Sequence, residues 1–151
     1  MEIDAVTMRI ARRWSTEPCK QPISMAIDAK NHRLFSGCRS GVLAVSDYVT
    51  GKVITTVPIG MGNDGIAYDA ASGNLFASNS DGTLSVIHQE SPDRYVVSAT
   101  VATAQGSRNV GLDTLSHRLF LPAADFAASA GDSRRAPIVS GTFRLLVIEA
   151  R

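Results

Sequence analysis

The chain has 151 residues, of which 44% are hydrophobic and 19% charged, with a formal net charge of +1. A charge so near zero gives no argument by itself for binding nucleic acid or an anionic membrane surface. No run of about 18 apolar residues exists, which excludes a transmembrane helix, and the Met1 to Trp14 segment, with early acidic residues and no continuous apolar stretch, does not read as a secretory signal.

In chain order, residues 8–14 read as a strand that follows the turn Asp4-Ala5-Val6-Thr7. Alternation and turn residues then divide 17–60 into strands at 23–28, 33–38, 42–46 and 53–59, separated by Ala29-Lys30-Asn31-His32, Arg39-Ser40-Gly41 and Asp47-Tyr48-Val49-Thr50-Gly51-Lys52. Pro58 lacks an amide donor, which suits an outer strand facing solvent. Residues 61–104 follow the same plan, with strands at 64–69, 74–79, 83–88 and 95–103. Residues 105–151 give strands at 108–113 and 117–121, then an insertion at 123–141 rich in Ala, Ser, Gly and Pro, then a strand at 143–149. The insertion has no usable periodicity and is expected to be mobile.

These segments are repeats. Ile27-Asp28 precedes His32-Arg33-Leu34-Phe35, Tyr68-Asp69 precedes Asn74-Leu75-Phe76, and Leu112-Asp113 precedes His117-Arg118-Leu119-Phe120, at spacings of 41 and 44 residues. A period in the low forties with several short strands per unit is the signature of propeller blades. The predicted fold is therefore all-β, a partial propeller of about three four-stranded antiparallel blades. Asp4-Ala5-Val6-Thr7 matches Asp47-Tyr48-Val49-Thr50, so residues 1–16 are expected to supply one outer strand of an otherwise absent blade. Residues 17–60 and 61–104 are expected to form complete blades, and 105–151 a three-stranded one.

The repeats resemble those of the YVTN-type beta-propellers, including YncE-like proteins, over nearly the whole chain. Leu75-Phe76-Ala77-Ser78-Asn79 is the closest copy of that family's Leu-Tyr-Val-x-Asn strand, and Thr50-Gly51-Lys52 keeps its turn, whereas Phe35-Ser36-Gly37-Cys38 and Phe120-Leu121-Pro122-Ala123 depart from it. Complete members close about seven blades, so the resemblance implies the C-terminal half of such a ring. It specifies fold and not activity, because propellers host unrelated functions.

Apparent chemical motifs have structural explanations. Gly60-Met61-Gly62-Asn63-Asp64-Gly65 satisfies G-x-G-x-x-G, but the following residues continue as a strand and supply no helix N-terminus for a pyrophosphate. His32 and His117 occupy the same turn in different repeats, too far apart to converge on one metal. His88 ends a strand without a catalytic partner in a recognisable local arrangement. Asp28, Asp69 and Asp113 follow inner strands and are expected to cap turns by accepting amide hydrogens. Arg12-Arg13-Trp14 and Arg134-Arg135 read as solvated basic pairs. No catalytic residue, metal ligand or cofactor motif is therefore assigned.

Cys19 and Cys38 carry more information. A hairpin of 23–28 with 33–38 brings the end of its second strand beside the residues preceding its first, so a disulfide is expected, with two separately buried thiols as the alternative. A disulfide implies an oxidising compartment, and with the family resemblance it points to the periplasm or the cell exterior.

Propeller ligands gather where connections between blades meet the central channel, and Lys20, Arg39, Asn63, Asp64, Arg108 and Asn109 are the polar side chains expected at that mouth. Their mixed signs suit a polar ligand or peptide better than a phosphate polymer. The leading reading is a non-enzymatic binding or scaffold module for a protein, peptide or cell-envelope ligand. The alternatives are a lactonase- or dehydrogenase-like propeller enzyme whose missing blades supply reactive groups, and nucleic-acid binding, against which the near-neutral charge argues. The unsatisfied terminal strands are expected to be met by blades elsewhere, or by a homodimer in which each N-terminal strand completes the other chain's last blade.

Overall fold

A computed structural model describes residues 1–128 and 136–149. Every regular element among them is a strand. β1 (Glu2–Asp4) and β2 (Arg9–Arg12) form a hairpin. The first sheet runs β3 (Pro22–Asp28), β4 (Arg33–Cys38), β5 (Val42–Asp47) and β6 (Val53–Pro58) in sequence order. The second repeats this with β7 (Asn63–Asp69), β8 (Asn74–Asn79), β9 (Thr83–Ser91) and β10 (Arg94–Ala102). The third is β11 (Gly111–Asp113), β12 (Arg118–Ala123) and β13 (Arg144–Ile148). All pairings are antiparallel between consecutive strands, as tight local turns dictate.

The N-terminus differs from the single outer strand expected there. Asp4 Oδ1 accepts the amides of Val6 and Thr7 at 2.8 Å, as Asp47 Oδ1 accepts those of Val49 and Thr50 at 2.9 and 2.8 Å. The turn thus folds Glu2–Asp4 back onto Arg9–Arg12, with Ile3 opposite Ile10. A three-residue strand is too short for alternation to reveal. Its pairing covers the inner edge of β2 that the exchanged homodimer was expected to use.

The insertion also differs from expectation at its described ends. Phe126 bridges Ile138, the Ala127 amide donates to the Pro137 carbonyl, and the Val139 amide donates to that of Asp125, each at 2.9 Å. This is a short antiparallel ladder, which places Phe126 over Gly106.

Two joints hold the three sheets together. At the first, Phe35, Leu43, Val45 and Val57 meet Leu75, Ala77, Ile87 and Tyr95, with Ile66 and Tyr68 packed on them. At the second, Leu84 meets Leu119 and Leu121, flanked by Phe76, Val110, Leu112, Leu146 and Ile148. Gly65 lies where a side chain would collide with the backbone of Arg108 and Val110, so the inner strands approach main chain to main chain. Cys19 and Cys38 are disulfide-bonded with a Cα separation of 5.7 Å, tying the linker after β2 to the end of β4.

Candidate functional site at the channel mouth

The repeat aspartates act first as turn caps. Asp28 accepts the amides of Lys30 and Asn31 and the Asn31 side chain, Asp69 accepts the Ala71 amide and Ser72 Oγ, and Asp113 accepts the Leu115 amide and Ser116 Oγ. The fifth residue of each turn, His32, Gly73 or His117, has φ of 57°, 70° or 59°. These turns sit at one end of the strands.

Asp28 and Asp69 also receive a partner from the next sheet. Gln89 Nε2 donates to Asp28 Oδ2 at 3.0 Å, and His117 Nδ1 lies 2.7 Å from Asp69 Oδ2. Burial alone pushes both carboxyls up, but hydrogen bonds from Asn31 and Gln89 to the first, and from Ser72 and His117 to the second, outweigh it and hold both below the ordinary carboxylate range. Tyr68 and Tyr95, hydrogen-bonded to the same Gln89, are pushed up to about 12 by burial and by the charge of Asp28. The two carboxyls are therefore held ionised and the two phenols neutral near neutrality, which suits a joint better than proton transfer.

The opposite end of the strands carries the connections between sheets, where the channel mouth was expected. The Gly62 amide donates to the Arg39 carbonyl at 3.0 Å, and the Gly106 amide to the Ser80 carbonyl at 2.9 Å, so each inter-sheet connection is laid on the β-turn of the sheet before it. This stacking opens a cleft of about 1010 Å³ lined by Arg39, Asp64, Arg108, Asn109, Asp125 and Arg144, with Phe126 and Ile138 as its apolar side. Asp64 Oδ1 accepts from Arg39 at 3.0 Å, and Asp64 Oδ2 lies 3.7 Å from Arg108. One carboxylate therefore bridges guanidinium groups from the sheets on either side. Arg144 pairs with Asp125 at 2.8 Å.

Of the side chains expected at the mouth, the structure brings Arg39, Asp64, Arg108 and Asn109 together. Lys20 is exposed but stands off the cleft, its amide donating to Ser40 Oγ at 3.3 Å. Asn63 faces the other way and is fully buried. Its amide donates to the carbonyls of Gly65 and Ser78 at 3.0 Å, and its oxygen accepts from Ser24 Oγ at 2.6 Å, joining the first two sheets. Successive residues of a strand face opposite sides, so of the pair Asn63 and Asp64 only one reaches the cleft. Asp125 and Arg144 were missed because one lies in the insertion and the other just after it, where no period places them.

The fold resembles hydrazine synthase of Kuenenia stuttgartiensis, with a TM-score of 0.61 and 13% identity over 77% of this chain and 33% of that one. It also resembles a chain of the mitotic checkpoint complex, with a TM-score of 0.55 and 15% identity over 65% of this chain and 32% of that one. These are propeller-type folds, and the all-β, partial-propeller architecture predicted from the repeats holds. The chain spans about a third of the length of each neighbour. No protein-family model and no curated protein matches it.

Proposed function

We propose that the chain is a binding or scaffold segment of a propeller whose mouth takes an acidic peptide or protein segment. The observation that carries this reading is the Arg39, Asp64 and Arg108 bridge at the edge of an open, partly apolar cleft. Its described lining holds three arginines against two aspartates, so one positive charge is left for a ligand carboxylate, and guanidinium favours bidentate carboxylate contacts. Phe126 and Ile138 supply an apolar wall for a neighbouring side chain. The YVTN-type, YncE-like relationship remains part of the proposal. The Cys19–Cys38 disulfide supports an oxidising compartment, periplasmic or extracellular.

The test is retention of acidic, neutral and basic peptide pools on immobilised protein at fixed salt. Preferential retention of the acidic pool, lost in Arg108→Glu, supports the reading. Preference for the basic pool, or no peptide retention, overturns it.

A further inference from the structure

The two outer faces of the stack are the two halves of its internal joints. At each internal joint a phenylalanine of one second strand points toward inner-strand residues of the next sheet: Phe35 lies against Ile66 and Tyr68, and Phe76 lies beside Val110 and Leu112. By repeat position the residues equivalent to Ile66 and Tyr68 in the first sheet are Met25 and Ile27, which are 67% and 55% exposed. The third sheet carries Phe120 on its outer face beside Val147, its cross-strand partner, and near Leu145, both 52% exposed. One end is the acceptor half of the joint and the other the donor half.

Polar groups repeat the same match. His117 contacts Asp69 across the second joint. Its repeat equivalent His32 is exposed at the acceptor end, and Asp113, equivalent to Asp69, is bonded only within its own turn among the described residues. Gln21, with φ of 56°, holds the place of Gly62 and Gly106, whose amides donate to the Arg39 and Ser80 carbonyls. The matching carbonyl at the donor end is that of Ala124, and neither it nor the Gln21 amide has a partner among the described residues. Apolar, polar side-chain and backbone features thus agree on one register.

We propose that two copies of this chain associate head to tail, the third sheet of each docking on the first sheet of the other. Met25 and Ile27 then meet Phe120, Leu145 and Val147, His32 meets Asp113, and the Gln21 amide meets the Ala124 carbonyl. The occupant is a second copy because both halves of the joint are present on one chain in mutually consistent register. β1 and β13 hold the same third-strand place, so β13 replaces the three-residue β1 beside β2 of the partner, and its sheet, three-stranded among the described residues, gains a fourth strand. Two such junctions close a ring of six sheets, within the range propellers adopt, with two-fold symmetry.

Sedimentation of the purified chain without ligand tests this separately from peptide binding. The wild type is expected to be a dimer at micromolar concentration, and a monomer overturns the proposal in favour of blades from another chain. Met25→Lys and Val147→Lys change exposed side chains, so their thermal unfolding should stay cooperative while each alone sediments as a monomer. Mixed one to one, they should form a dimer through the single junction that pairs an intact head with an intact tail. Variants that remain dimeric alone, or a mixture that stays monomeric, overturn it. Deleting Glu2 and Ile3 should tighten association several-fold by freeing the edge of β2, and weaker association overturns the exchange of β13 for β1. His32→Ala should weaken it several-fold, and an unchanged constant overturns the register.

Discussion

The two internal joints answer the same geometric problem with different chemistry. The first is aromatic: Phe35 lies 5.1 Å from Tyr68 and 5.7 Å from Tyr95 between ring centroids, and Gln89 links both hydroxyls to Asp28. Arg33 adds a clamp, reaching Asp47 on its own sheet and Asp93 on the next at 3.0 and 2.6 Å. The second joint is mainly aliphatic around Phe76, and its side-chain polar contacts include the His117–Asp69 and Arg108–Asp64 pairs. A repeat therefore fixes where sheets meet while leaving free which side chains, aromatic or aliphatic, fill each joint.

Breaking the first joint should have the largest effect. Phe35→Ala removes a fully buried ring and should cost about 3–5 kcal/mol in denaturant unfolding. Leu84→Ala, at the second joint, should cost about 2–4 kcal/mol. Equal or reversed costs would show that the aromatic network adds nothing beyond volume.

The disulfide staples only the first sheet. Replacing Cys19 and Cys38 together by Ser releases a closure of 19 residues and should cost about 3 kcal/mol. Amide exchange should rise mainly in β3 and β4 and leave the third sheet unchanged, which separates a local staple from a global one.

Acid should distinguish the joints' carboxylates from ordinary ones. Because the folded Asp69 carboxyl lies below its unfolded value of about 3.9, its contribution is complete above that value and is lost as pH falls through the lowered one. Asp69→Asn should therefore cost about 1–2 kcal/mol at neutral pH, and the cost should shrink as pH falls below about 3.9. A constant difference across that range would assign the loss to shape instead of charge.

The smallest effect lies in the N-terminal hairpin. Met8 occupies, at φ of 54°, the turn position that Gly51 fills at 77° in the matching turn of the first sheet. Met8→Gly should stabilise the hairpin by up to about 1 kcal/mol, read as slower amide exchange in β2. No change would mean that the exposed turn relaxes without strain.

How much of this was legible depends on what a period can encode. Asp28, Asp69 and Asp113 recur with turn residues after them, so their capping role and the strands before and after them could be read directly. The Cys19 and Cys38 pairing followed from the hairpin they flank. Contacts between sheets were harder. The separation of His32 from His117 was readable, but not that His117 would reach back to Asp69, because the offset between neighbouring sheets is set by packing at Gly65 and Phe76 and not by spacing along the chain. The same ignorance of which strand face meets the neighbour put Asn63 at the mouth with Asp64. Asp125 lies in the insertion and Arg144 just after it, where alternation gives no register.

The nearest-neighbour arrangement of the joints has a consequence for how the molecule opens. The main contacts between sheets run from β3 and β4 to β7, from β6 to β10 and from β7 to β11, each between adjacent sheets. Stability in such a stack is a chain of local terms, so fluctuations begin at the ends and travel inward like a zipper, with β13 and β2 opening far more often than β8. Asp64 is the exception, since its bridge to Arg39 and Arg108 touches all three sheets at once. A ligand seated there would act as a clasp across otherwise independent links, turning graded fraying into a single cooperative transition.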